Sequence, residues 1–134
     1  MITVITPFKG KFSDLRNFCL IHENLINSKK IIFSIIDSSE KKSLVTNHLI
    51  KYFYKPNLNL YEAVNFGIEK SQTNYYLPLG IDDTLNEKVL GINIQNLNIY
   101  DILSFPTKNC EKLLNKSFLR INHRNFIYQH SASC

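Results

Sequence analysis

Apolar residues in this chain fall in short dense runs set apart by polar punctuation, not in long stripes. Residues 2–6, ITVIT, are almost all β-branched, which suits a buried strand. Pro7 is expected to end that run, and Gly10 to loosen the loop after it. Ser13 is the expected N-cap of a helix, with Asp14 well placed in its first turn. Leu15, Phe18, Cys19, His22, Leu25 and Ile26 then recur at helical spacing and predict about four turns ending near Asn27 and Ser28. Residues 31–36, IIFSII, form a second run. It is nearly continuous, as in parallel strands covered on both faces.

The pattern continues in the same alternation. Residues 40–47 predict a short helix and 49–54 a third strand. Asn57 and Asn59 fall in a loop. Residues 60–70 read as a helix with Ala63, Val64 and Ile68 toward the core. Residues 75–79 predict a fourth strand, interrupted at Pro78 and closed by Gly80. Residues 87–97 predict a weak helix, 99–105 a fifth strand stopped by Pro106, and Phe126, Ile127 and Tyr128 a last one. Strands alternating with helices imply an α/β fold: a Rossmann-like open, mostly parallel sheet flanked by helices. A single domain over residues 1–134 is expected. Ligands in such sheets sit outside the carboxyl ends of the strands. Thr6-Pro7-Phe8, Asp37-Ser38-Ser39 and Asp82-Asp83 all fall there.

Composition narrows the classes. Hydrophobic residues make up 44% and charged residues 20% of 134, an ordinary globular balance that argues against disorder. Sixteen Lys and Arg against eleven Asp and Glu leave +5. That surplus is scattered, with Lys29-Lys30 and Lys41-Lys42 as its doublets. A nucleic-acid surface concentrates its charge on one face, so no nucleic-acid partner is expected. The milder reading is an attraction to phosphates or an anionic membrane. Cys19, Cys110 and Cys134 are odd in number and show no CxxC spacing, which argues against a disulfide framework and a zinc site and for a reducing cytoplasm. No apolar run approaches the roughly 20 residues of a membrane helix.

Three features could carry chemistry. Asp82-Asp83 ends the apolar stretch YYLPLGIDD. Adjacent carboxylates repel unless a cation or donors sit close, and Mg²⁺ or Mn²⁺ typically takes one or two carboxylates plus diphosphate oxygens. The plain alternative is a turn, where Asp is common. Asp37 follows a buried strand and could accept from a ribose or base, or cap the helix expected after it. Glu62 and Asn65 share a helix face, on what is otherwise an ordinary amphipathic helix. No P-loop, GxGxxG or GxSxG occurs, so ATPase, dinucleotide and serine-hydrolase readings fall away.

Taken in order, ITVITPFKG, IIFSIIDSS and LYEAVNFGIEKSQTNYYLPLGIDD resemble the inverting family 2 glycosyltransferases of GT-A fold. The likeness covers roughly residues 2–105 and rests on four pieces at suitable spacing, none specific alone. It implies a nucleotide-diphospho-sugar donor, UDP-linked by preference, and a divalent metal, Mg²⁺ or Mn²⁺. On that resemblance Thr6, Pro7 and Asp37 contact the nucleotide base and ribose, Asp82 lies near the ribose and sugar, Asn65 belongs to the same nucleotide-sugar-binding set, and Asp83 ligates the metal. The acceptor is a glycan or lipid-linked sugar in surface polysaccharide, lipopolysaccharide or glycan assembly. The setting is the cytoplasm, at the inner face of the membrane with peripheral association.

The chain also departs from the family. Glu40, Lys41 and Lys42 stand where a second Asp is usual, and Asn59 stands where a Gly is usual, which suggests left-handed geometry there. The inverting reaction needs a general base. Glu111 is the weak candidate, so the base is expected to be missing and the domain to be an incomplete, nucleotide-sugar-binding half. Self-association through an exposed C-terminal edge follows from that expectation. Two alternatives stand beside transfer: an inactive nucleotide-sugar-binding or interaction module, and a small nucleic-acid-binding domain.

Overall fold

The computed structural model describes residues 1–86. Met1–Leu85 form one compact unit. The elements expected over 87–97, 99–105 and 126–128 lie outside the described residues, as do Glu111 and the C-terminal edge. Four strands, β1 (Ile2–Phe8), β2 (Ile31–Asp37), β3 (Ile50–Tyr54) and β4 (Tyr75–Pro78), and three helices, α1 (Phe12–Ile21), α2 (Glu23–Asn27) and α3 (Leu60–Lys70), alternate along the chain. The sheet is open, in the order β3-β2-β1-β4, and every pairing is parallel. This is an α/β, Rossmann-like arrangement. Among the described residues no helix is long and apolar enough to cross a membrane.

Strand residues alternate between faces, and that alternation sorts the core. Ile5 and Ile36 pack with Ala63 of α3, joined by Phe53, Leu58, Phe66 and Ile68. Phe33, three residues before Ile36, faces the other way. Phe18 and His22 meet it there, with ring centroids 6.2 and 5.7 Å from Phe33. Helices therefore cover both faces. This is why β1 and β2 are buried along almost their whole length and read as continuous apolar runs.

α3 runs over the residues expected. Asn59 caps it reciprocally: the Glu62 amide donates to Asn59 Oδ1 at 3.0 Å, and the Asn59 amide donates to Glu62 Oε2 at 2.8 Å. Both orphan donors are met. Asn59 itself is extended, with φ −77°. The left-handed residue of that loop is Asn57, with φ 67°.

Five expectations need correction, the first being the left-handed geometry at Asn59. Pro7, likewise, does not end β1, which continues to Phe8. Ile5 O points to β4, where it accepts from Leu79 N, and Phe8 O points to β2, where it accepts from Ser38 N. Alternation then aims Pro7 N at the β4 side, beyond the last β1–β4 pair, Ile5 with Pro78. The missing N–H falls where no ladder bond is needed. Among the described residues β4 lies at the edge of the sheet, and Pro78 N faces away from β1, for the same reason.

Ser13 is not the cap of α1. Lys11 holds that position without a side-chain bond, and the Ser13 hydroxyl turns to Asp14 at 3.4 Å. The long first helix is broken at His22, whose φ −100° and ψ 12° leave the helical region. Its Nδ1–H donates to Phe18 O at 2.9 Å, and its Nε2 accepts from Leu85 N at 3.0 Å. The ring is 1% exposed. Burying it with both nitrogens satisfied outweighs one more helical residue.

No helix forms over 40–47. Residues 38–49 cross from β2 to β3 as an irregular strap, about the dozen residues a parallel connection needs. Side chains take the amides a helix would use. Asp37 takes Ser43 N at 3.1 Å, and Asn47 Oδ1 takes Leu49 N at 2.9 Å. Local capture of this kind competes with helix.

Candidate functional site

The chain leaves β1 toward β2 and β3 on one side and returns as β4 on the other. The carboxyl ends of β1 and β4 therefore flank a switch point, the place where open parallel sheets receive ligands. The structure brings two of the expected segments to it: Thr6-Pro7 closing β1, and the Gly80–Asp83 turn following β4.

Thr6 is wholly buried and Pro7 half-buried. The Thr6 hydroxyl has no hydrogen-bond partner among the described residues, and neither does that of Ser38, 4% exposed at the end of the next strand. Buried hydroxyls left unpaired are uncommon.

Asp82 and Asp83 are exposed. Asp83 N donates to Gly80 O at 3.2 Å, and Gly80 N donates to Asp83 Oδ2 at 3.1 Å, so the turn preference of Asp is satisfied here. A Cβ added at Gly80 would lie 2.7 Å from Asp83 Oδ2 and 3.0 Å from Asp82 Oδ1. Both carboxylates thus lean over the same bare glycine. Two like charges in one tight turn favour a cation. Among the described residues, no group of three or more His, Cys, Asp and Glu could hold a metal. The pair suits Mg²⁺ or Mn²⁺ that takes its remaining oxygens from a diphosphate and water, and does not suit an all-protein cage.

Asp37 is placed differently from these. It is 0% exposed, and both oxygens are engaged within the chain. Oδ1 accepts from Ser39 N at 2.9 Å. Oδ2 accepts from Ser43 N at 3.1 Å and from the Tyr52 hydroxyl at 2.5 Å. Burial pushes the carboxyl up, but the bonds from Tyr52, Ser39 and Ser43 more than offset it and hold Asp37 below the ordinary carboxylate range. Asp37 is therefore the clasp of the 38–43 loop, not the cap of a helix. Ser39 extends the clasp, its Oγ accepting from Gly10 N at 3.1 Å.

Burial, then the Asp37 hydrogen bond and charge, raise the Tyr52 phenol. A group raised in the folded state keeps its stabilising contribution below its unfolded pKa, about 10 for Tyr, and loses it as pH rises through the folded value. Alkaline absorbance titration should show a late phenol for Tyr52, and Tyr52→Phe should remove that late step. A titration unchanged by the substitution would count against the pairing.

Asn65 is not brought to this edge. It lies midway along α3 on the exposed side, while Ala63 and Gly67 face the sheet. Glu62 is engaged in its cap. Burial pushes the Cys19 thiol up, which makes it a poor nucleophile. Tyr52 and Ser43 escape a reading of the sequence. Tyr52 shares a face with Asp37 only through the pairing of Ile35 with Tyr52, and no local signal announces that register.

The fold and this edge define an open parallel α/β sheet with a carboxylate pair at its switch point. No protein-family model, curated protein or solved structure matches the chain.

Proposed function

We propose that the chain binds a nucleotide-diphospho-sugar, by preference UDP-linked, at the carboxyl edge of β1 and β4, and serves sugar transfer to a glycan or lipid-linked acceptor as a GT-A-type family 2 glycosyltransferase. The observation that carries this reading is that Thr6-Pro7 lie near the carboxyl end of β1 and Asp82-Asp83 in the turn after β4, on the two sides of the switch point. Asp83, with Asp82 beside it, would hold Mg²⁺ or Mn²⁺. Such a cation supplies charge neutralisation for the leaving diphosphate. Thr6 brings an unpaired hydroxyl to the nucleotide side, and Asp37 acts from behind by fixing the loop after β2. The general base for acceptor deprotonation is expected to be missing from this chain, with Glu111 as the weak candidate. The cytoplasmic setting at the inner membrane face follows from the same resemblance.

The test is calorimetry and thermal shift with UDP and Mn²⁺ on wild type and Asp83→Ala. A ligand that binds only the folded state raises the melting temperature with its concentration over Kd. Wild type should show a Mn²⁺-dependent rise, and Asp83→Ala should weaken UDP binding at least tenfold. Asp83 is exposed, so the variant should still fold. Absence of any UDP- and Mn²⁺-dependent shift in folded wild type would remove the donor-site reading. Binding without release of UDP from a UDP-sugar would favour the inactive module.

A further inference from the structure

The loops leaving β1 and β2 meet at the carboxyl end of the sheet and build an amphipathic cap. Gly10 N is tied to Ser39 Oγ, the Tyr54 hydroxyl donates to Glu40 O at 2.9 Å, and Asp37 holds Ser43. These bonds fix both loops side by side. Gly10, Phe12, Lys41, Lys42, Ser43 and Leu44 then surround one shallow hollow of about 280 Å³. Leu44 is 79% exposed and Phe12 48%. Lys9, Lys11, Lys41 and Lys42 are exposed on the same two loops, against the exposed acids Glu40 and Asp14.

We infer that this cap docks on an anionic lipid surface, with the four lysines on the headgroups and Leu44 and Phe12 entering the interface. A single exposed leucine is unremarkable. An exposed leucine on the strap and an exposed phenylalanine opening α1, around one hollow with Lys41 and Lys42, are what interfacial binding uses: apolar area to bury and positive charge to meet anionic lipid. A nucleic acid would use the lysines and stack on Phe12 but has no use for Leu44, the most exposed apolar side chain of the hollow. The surface deepens the membrane-face placement given above. It also turns the donor edge toward the lipid, where a lipid-linked acceptor would present its hydroxyl. Docking itself does not depend on donor binding.

The experiment is flotation of the full chain with vesicles of phosphatidylcholine alone and of phosphatidylcholine mixed with phosphatidylglycerol, at low and high salt. Binding should require phosphatidylglycerol and weaken with salt. Lys41→Glu with Lys42→Glu should lower the partition coefficient roughly twenty-five-fold or more, at about one factor of five per lysine lost. Leu44→Ser should lower it about tenfold. Lys29→Glu with Lys30→Glu, the other lysine doublet, at the amino end of β2, should change it far less. All of these side chains are exposed, so each variant should fold, and melting curves are the check. Equal binding to both vesicle types, an equal loss from the Lys29 and Lys30 pair, or no effect of Leu44→Ser would overturn the assignment. A dimer in sedimentation velocity that Leu44→Ser dissociates, without vesicle binding, would assign the surface to a second copy instead. UDP and Mn²⁺ binding measured on the same samples separates failure of docking from failure of the donor site.

Discussion

Asp37→Ala should destabilise the protein by about 3 kcal/mol at neutral pH, because hydrogen bonds to a buried charged acceptor are each worth about 1.5–3 kcal/mol and their donors are left unmet. The carboxylate is wholly buried and receives Ser39 N, Ser43 N and the Tyr52 hydroxyl. Water reaches some of these donors once the loop opens, which keeps the loss below the full sum. Asp37→Asn should cost less but not nothing. It keeps one acceptor, while its NH₂ group faces an amide that also donates.

The same variant carries a pH signature. Asp37 lies below the ordinary carboxylate range when folded, so its contribution is complete above the unfolded value, about 3.9. It is lost as pH falls through the folded value, because the unfolded chain binds the proton first. Denaturant melts should therefore show the gap between wild type and Asp37→Ala shrinking below about pH 4. A gap that stays constant into strong acid would mean that Asp37 stabilises by shape alone. Loosening of the 38–43 loop should accompany the loss, seen as faster amide exchange at Ser39 and Ser43.

Gly67→Ala should destabilise by about 2 kcal/mol, although alanine is the better helix former by about 1 kcal/mol. Gly67 is buried on α3, where the helix crosses β1. A methyl group there would overlap Ile5 Cγ2 and lie 3.3 Å from Ile5 Cγ1. Ile5 is 0% exposed on a central strand, with its backbone paired on both sides. It cannot withdraw, so the helix has to lift, and overpacking of this kind costs about 1–3 kcal/mol. Guanidinium melts measure it directly. A neutral or stabilising result would show that α3 sits further from the sheet than the structure places it.

Both predictions fall on residues whose importance a reading of the chain grasps unevenly. Gly67 lies in LYEAVNFGI, a stretch whose helical bounds are legible from period and cap alone. The α/β class is legible too, since ITVIT and IIFSII lack alternation and only strands covered on two faces tolerate that. Thr6, Pro7, Asp82 and Asp83 can be placed near the carboxyl ends of strands from the sequence, because Gly and Asp mark such ends locally, although Pro7 lies inside β1, which runs on to Phe8. Where the local pattern misleads, a distant partner decides. Residues 40–47 have a plausible helical composition, yet Asp37 and Asn47 take the amides at Ser43 and Leu49. The first helix has unbroken periodicity, yet His22 leaves it because Phe33 and Leu85 lie against its ring. Ser38 stands out in the chain only as a neighbour of Asp37, and its unpaired hydroxyl emerges from burial.

Chain order is enough for the alternation of strands and helices, the parallel character of the buried runs, the span of α3, and the carboxylates that end β4. These depend on side-chain period and on neighbours within one turn. Chain order is not enough to show that β4 returns to the far side of β1, that Tyr52 meets Asp37 across fifteen residues of chain, or that lysines and bare apolar side chains from two loops share one edge. Those facts rest on register and on burial summed over the whole fold, where a contact between distant segments is won only after the intervening chain has been ordered.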